Sequence, residues 1–153
     1  MTVLRPMAFM ELMTDRAFFP SAGVWHVWPK LDGWNFRVPW LSCSDLGRIA
    51  ERVFERTERF VGQQLNLLAD VRSIEECRAI YTRVTGRPPR RFPMPVRLFE
   101  RFAADTAALW RWARTAHLDA DPAPTRGIVP DLLTVETWLE RQFTDHRRRR
   151  VRK

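Results

Sequence analysis

Hydrophobic and polar positions along the chain fall into short runs whose period changes several times. Residues 2–5 (TVLR) read as a buried strand. Pro6 then stands where a helical turn can begin, and residues 7–14 are rich in helix formers: Met7, Ala8, Met10, Glu11, Leu12 and Met13. Residues 18–40 are punctuated by Gly23, Pro29 and Gly33, and Trp25, Val27, Trp34, Phe36 and Val38 alternate in short β-like pieces. Over 44–60 the period becomes helical. Ser44 or Asp45 is placed to cap, Leu46, Ile49, Ala50 and Val53 share one face, and Gly62 follows as terminator.

Residues 64–69 alternate Leu65, Leu67 and Ala69 against polar positions and predict a strand. SIEECRAIYTRVTG (73–86) carries a capping box, Ser73 with Glu76, and a stripe of Ile74, Cys77, Tyr81 and Val84 that ends at Gly86. Pro93 and Pro95 restrict residues 90–95 to a short edge strand. Residues 96–117 read as one long helix, and 132–143 as another, with Thr134 as cap and Val135, Trp138 and Leu139 inward. This order is α/β in class. Three short strands cannot cover so many helices, so the pattern predicts an incomplete sheet with several flanking helices, the second half of something larger.

Composition adds bounds. The chain has 153 residues, 45 % of them hydrophobic and 29 % charged, which is the globular range. Seven Trp and ten Phe call for a large core or for surface that needs cover. Cys43 and Cys77 have no metal or disulfide spacing and read as two buried thiols in a reducing cytoplasm. No run of about 20 apolar residues is present to span a membrane. The net charge is +8, of which the tail DHRRRRVRK (145–153) supplies +6 − 1 = +5. That leaves a mildly basic body. A solvated, disordered terminus is the simpler reading of the tail, and nucleic-acid contact the less favoured one.

Several chemistries have no motif here. The six glycines form neither a dinucleotide fingerprint nor a phosphate loop. Tyr81 is followed at the fourth position by Thr85, so no Tyr-x-x-x-Lys pair exists. His26, His117 and His146 have no metal-ligand spacing, and no catalytic residue can be named. Asp45 at a helix start reads as a cap more readily than as a catalyst. Gly47 reads as a point of close packing. Trp25, Trp28, Trp34 and Trp40 read as a small apolar subdomain more readily than as ligand-stacking rings.

TVLRPMAFMELM, VPWLSCSDLGRIAERVF, FVGQQLNLLAD…SIEECRAIYTRVTGRPPRRFPMP and PDLLTVETWLERQ, in this order, resemble the later segments of NmrA-like proteins, a branch of the atypical short-chain dehydrogenase/reductases. The second stretch matches their Asp-x-Gly-x-x-Ala helix start at Asp45, Gly47 and Ala50. The resemblance covers residues 2–143. It implies the C-terminal portion of a Rossmann-like, doubly wound parallel sheet. Residues 1–144 would form the substrate-side part of an NAD(P)-binding domain whose glycine-rich turn lies in a first half absent from this chain.

By the same resemblance, Pro6, Met7, Ala8 and Phe9 would wall the reactive end of the cofactor, and Phe9, Met10 and Trp40 would line the substrate pocket. Core packing is the competing reading for each. The implied activity is NAD(P)-dependent oxidation or reduction of an unidentified small molecule. The alternative is a non-enzymatic, NAD(P)-sensing regulator that contacts another protein. A truncated product without activity of its own is a further reading. The chain alone is expected to bind NAD(P) weakly or not at all, and to self-associate through uncovered apolar surface.

Overall fold

The computed structural model describes residues 1–14, 21, 23–90, 94–115 and 121–151, with only the backbone of residue 114 and residues 145–151. The chain divides into two compact units. Unit 1 comprises Met1–Met10, Pro39–Arg72 and Asp119–Lys153; unit 2 comprises Glu11–Val38 and Ser73–Leu118.

In chain order, β1 (Val3–Pro6) and β2 (Ala8–Phe9) lead into a 3₁₀ turn at Met10–Met13. A π-helical turn (Gly23–Val27) runs into α1 (Trp28–Asp32), followed by β3 (Arg37–Leu41), α2 (Cys43–Glu55) and α3 (Thr57–Phe60). Then come β4 (Gln64–Leu67), β5 (Asp70–Ser73) and α4 (Ile74–Thr85). The helices α5 (Val96–Phe102), α6 (Ala104–Thr115), α7 (Ala123–Arg126) and α8 (Val135–Val151) complete the described chain.

Unit 1 is built on parallel pairing. β1 lies beside β4 with Leu4 level with Leu65, and β2 lies beside β3 with Ala8 level with Trp40. β3 is the middle strand of the order β2-β3-β5. Parallel pairs need crossover connections, and the connection from β1 to its partner β4 includes α2 and α3. α2 starts where Ser42 accepts from the Asp45 N–H at 3.0 Å and turns Ile49 and Val53 inward. Unit 2 is mostly helical. Its core holds a stack of rings: Trp28 lies on Trp110 at 4.6 Å between centroids, and Phe99 on Trp110 at 5.3 Å. Trp25 meets Tyr81 edge-on at 5.6 Å.

Several elements differ from the expectations. Residues 7–14 are not a helix: Ala8 and Phe9 extend beside β3 before a single 3₁₀ turn, because pairing overrides helix propensity there. Trp25 and Val27 lie in helical turns rather than β-like pieces, and both are buried. The cap of α2 is Ser42, not Ser44 or Asp45. The strand over 64–69 ends at Leu67, and β5, which follows it, has no alternation to announce it. The long helix over 96–117 breaks at Ala103. Of the proposed edge strand at 90–95, residues 91–93 lie outside the described residues, and Met94 and Pro95 are not in a strand. Cys77 is buried, but Cys43 is exposed at the first turn of α2. Space around Gly47 is open, so it is not a point of close packing. Trp40 belongs to unit 1, apart from Trp25, Trp28 and Trp34. The backbone of residues 145–151 continues α8.

The capping box at Ser73–Glu76 is present in both directions, and Gly86 closes α4 with φ 75°. Thr134 accepts from the Thr137 N–H at the start of α8, and Val135, Trp138 and Leu139 are buried.

Candidate functional site

β1 and β4 run side by side as far as Pro6 and Leu67, where the Met7 N–H still reaches the Leu67 carbonyl at 3.1 Å. Beyond that point they part. Ala8 and Phe9 take Trp40 and Leu41 as neighbours, while the Ala69 N–H donates to the Trp40 carbonyl at 2.7 Å. The end of β3 thus enters the fork between the two strands. In open α/β sheets, ligands bind beyond the carboxyl ends of parallel strands where neighbours diverge. Pro6 to Phe9 occupy such a place in unit 1.

Their environments are graded. Pro6 is exposed, Met7, Ala8 and Phe9 are half-buried, and Met10 and Trp40 are fully buried. The Trp40 indole N–H donates to the Arg72 carbonyl at 3.1 Å, which satisfies its one polar group. The segment from Pro6 to Phe9 carries no charge. That suits the wall of a flat, weakly polar ring better than a cradle for phosphates, which calls for backbone donors at a glycine-rich turn or basic side chains.

Close to this fork in sequence, two buried acids hold the approach to α8. Asp45 accepts from the Leu133 N–H through Oδ2 at 2.9 Å and from Arg48 through Oδ1 at 3.1 Å. Asp70 accepts from the Val135 N–H through Oδ2 at 3.1 Å and from the Val71 N–H through Oδ1 at 2.8 Å. The Arg72 Nε lies at 3.2 and 3.3 Å from the two Asp70 oxygens. The backbone donors of Leu133 and of Val135, the first residue of α8, are therefore taken by carboxylates from two different elements. Both oxygens of each acid are engaged, so the pair forms a structural clasp rather than a proton-transfer group. Asp45 neither caps its helix nor stands free for catalysis.

Arg48 extends the clasp by bonding the Asp131 carboxylate as well as its backbone carbonyl. The bond from Arg48 lowers the Asp131 carboxyl below its ordinary range, and the bond to Asp131 raises the Arg48 guanidinium above its own. The part played by Asp70 was not read from the sequence, because a lone acid after LLA gives no sign that Val135 lies beside it. Thr125 was missed for the same reason. Its hydroxyl is buried, accepts from the Leu68 N–H at 3.2 Å and donates to the Asn66 carbonyl at 3.4 Å. Next to it, Gln64, Asn66, Asp121, Thr125 and Ile128 border a half-open cleft of about 180 Å³. Among the described residues, no group of three or more His, Cys, Asp or Glu is placed to hold a metal, and no helix is long and apolar enough to cross a membrane.

No protein-family model and no curated protein sequence matches the chain. Solved structures do match in fold. A nucleoside-diphosphate-sugar epimerase from Staphylococcus aureus aligns with TM-score 0.63 at 15 % identity, over 90 % of this chain and 50 % of that one. NmrA, a negative transcriptional regulator crystallised with NADP and also with NAD, aligns with TM-score 0.50 at 14 % identity, over 70 % of this chain and 40 % of NmrA. The chain therefore has an NmrA-like, partial Rossmann-type α/β fold, and spans about half the length of the structures it matches.

Proposed function

We propose that the chain is the substrate-side part of an NAD(P)-dependent oxidoreductase of the NmrA-like type, acting in the cytoplasm. The observation that carries this reading is the fork at Pro6–Phe9: an uncharged segment leaving the carboxyl end of a parallel strand, in a fold shared with a protein crystallised with NADP. NAD(P) would supply the hydride, and the dinucleotide's phosphates would be held by residues outside this chain. Pro6, Met7, Ala8 and Phe9 would wall the nicotinamide and keep water from it. Phe9 would turn to the substrate, with Met10 and Trp40 as the packed layer behind it.

A regulator that binds NAD(P) without turnover is the second reading. It is favoured by the likeness in fold to a transcriptional regulator and by the lack of charge from Pro6 to Phe9.

Titration calorimetry of the 153-residue protein with NADPH tests the division of labour. Binding is expected to be weaker than about 1 mM, because on this reading the groups that hold the phosphates lie outside this chain. Micromolar binding would overturn it. Joined to a dinucleotide-binding half, the protein should bind NADPH. Loss of absorbance at the nicotinamide band with a carbonyl substrate present then marks the enzyme, and binding without turnover across carbonyl substrates marks the regulator.

A further inference from the structure

The two ends of α8 differ in kind. It begins where Asp45 and Asp70 take the Leu133 and Val135 N–H groups, and it buries Val135, Trp138 and Leu139. Leu139 is the last buried residue among its described side chains; Glu140, Arg141 and Thr144 are exposed. The backbone stays helical to Val151, so the axis runs about 18 Å beyond Leu139 at about 1.5 Å per residue. Arg147, Arg148, Arg149, Arg150, Arg152 and Lys153 place +6 at this far end, against −1 from Asp145. From Val135 to Thr144 the sum is −2 + 1 = −1, from Glu136, Glu140 and Arg141. The helix dipole favours cations in the last turn, but Arg147 and Arg150 stand three positions apart, a spacing at which like charges repel. Asp145 can offset only one of the six positive charges.

We infer that the far end of α8 lies in the major groove of double-stranded DNA and binds its phosphates without reading sequence. Neighbouring positions of a helix are about 100° apart, so the four positions from Arg147 to Arg150 go once round the axis. The groove, about 12 Å wide, admits an α-helix and has a phosphate backbone on either side. Positive positions all round an axis suit that enclosure. A bilayer or an acidic protein face is flat and would meet one side of the helix only. Lying in a bilayer also needs an apolar face, and residues 145–153 supply Val151 alone. A-form RNA has a deep, narrow major groove that suits a helix less well.

Fluorescence anisotropy of a short labelled DNA duplex with the 153-residue protein, without cofactor, tests this. At physiological salt the dissociation constant should be about 1–100 μM, and log affinity should fall against log salt with a slope of about −5, as for six phosphate contacts. Arg147→Gln, Arg148→Gln, Arg149→Gln and Arg150→Gln together keep good helix formers. They should weaken binding about a hundredfold or more and bring the slope to about −2. His146→Pro keeps every arginine and lysine but breaks the helix before Arg147. It should weaken duplex binding about tenfold or more and leave adsorption to phosphatidylserine vesicles unchanged. Both variants lie past the last described buried residue of α8, and their melting should match the native protein's. If either does not fold, the salt slope and the ranking of DNA duplex, RNA duplex and vesicles by the native protein decide. A slope near zero overturns the inference. So does duplex binding that survives either folded variant, or an RNA duplex, phosphatidylserine vesicles or polyglutamate bound as tightly as the DNA duplex.

Discussion

Unit 1 buries Ser42, Asp45, Asp70 and Thr125, and each accepts from at least one backbone N–H: Asp45, Leu133, Val135 and Leu68 in turn. Unit 2 buries Ser73, which accepts from the Glu76 N–H, and the rings of Trp25, Trp28, Phe99 and Trp110, which meet ring on ring while the Trp25 and Trp28 N–H groups donate to the Met13 carbonyl and to Asp32. Hydrogen bonds are directional and costly to leave unmade, so they fix the path of the backbone. Ring stacks respond to volume and tolerate small rotations. The difference teaches where geometry is held most tightly. The fork at Pro6–Phe9 lies in the unit whose chain path is tied by buried polar groups.

The comparison predicts opposite sensitivities. Trp110→Ala should have the largest effect, about 3–5 kcal/mol in urea unfolding, because it removes the middle ring of a three-ring stack. Trp110→Phe should recover at least half of that loss; if it does not, unit 2 is not governed by volume. Asp45→Leu comes next at about 2–3 kcal/mol, since it keeps bulk but leaves the Leu133 N–H without its acceptor. A native-like melt for Asp45→Leu would erase the contrast between the units.

Gly23→Ala should follow at about 1–2 kcal/mol, because the added Cβ would lie 2.9 Å from the Trp110 ring and 3.1 Å from that of Phe99. Pairing it with Trp110→Phe should relieve the overlap, which melting of the double variant would reveal. Asp131→Asn should have the smallest effect, because the Arg48–Asp131 pair is solvent-exposed. Its sign depends on pH. The folded Asp131 carboxyl lies below its ordinary value, so the pair adds stability above that ordinary value and loses it as pH falls through the lowered one. Native and Asp131→Asn melting curves should differ slightly at about pH 7 and converge at about pH 2.

Much of the fold was legible in the sequence wherever a local signal decides the outcome. Ser73, Glu76 and Gly86 bound a helix by their own hydrogen bonds, and Val135, Trp138 and Leu139 mark the inner side of another by spacing alone. What stayed hidden depends on distant partners. Ala8 and Phe9 extend only because Trp40 and Leu41 lie beside them. Asp45 reads as a cap until Leu133, 88 residues on, is brought to it. Trp25 and Trp40 look alike in the sequence, yet one joins the core of unit 2 and the other fills a strand fork. Of the candidate site, the strand and its exit at Pro6 were readable, and the buried Met10 and Trp40 agree with the core-packing reading offered beside the pocket one; the choice between the two depends on what folds over them.

The carboxylate clasp also sets an order of events during synthesis. Asp45 and Asp70 leave the ribosome long before Leu133 and Val135, whose amide groups they grip. Until those amides emerge, Asp45 has Arg48 as its partner and Asp70 has Val71 and Arg72, and the clasp closes only when residues 133–135 arrive. A message cut short before codon 133 would yield a product in which each acid lacks one of its backbone donors, the kind of defect that cellular quality control recognises and removes.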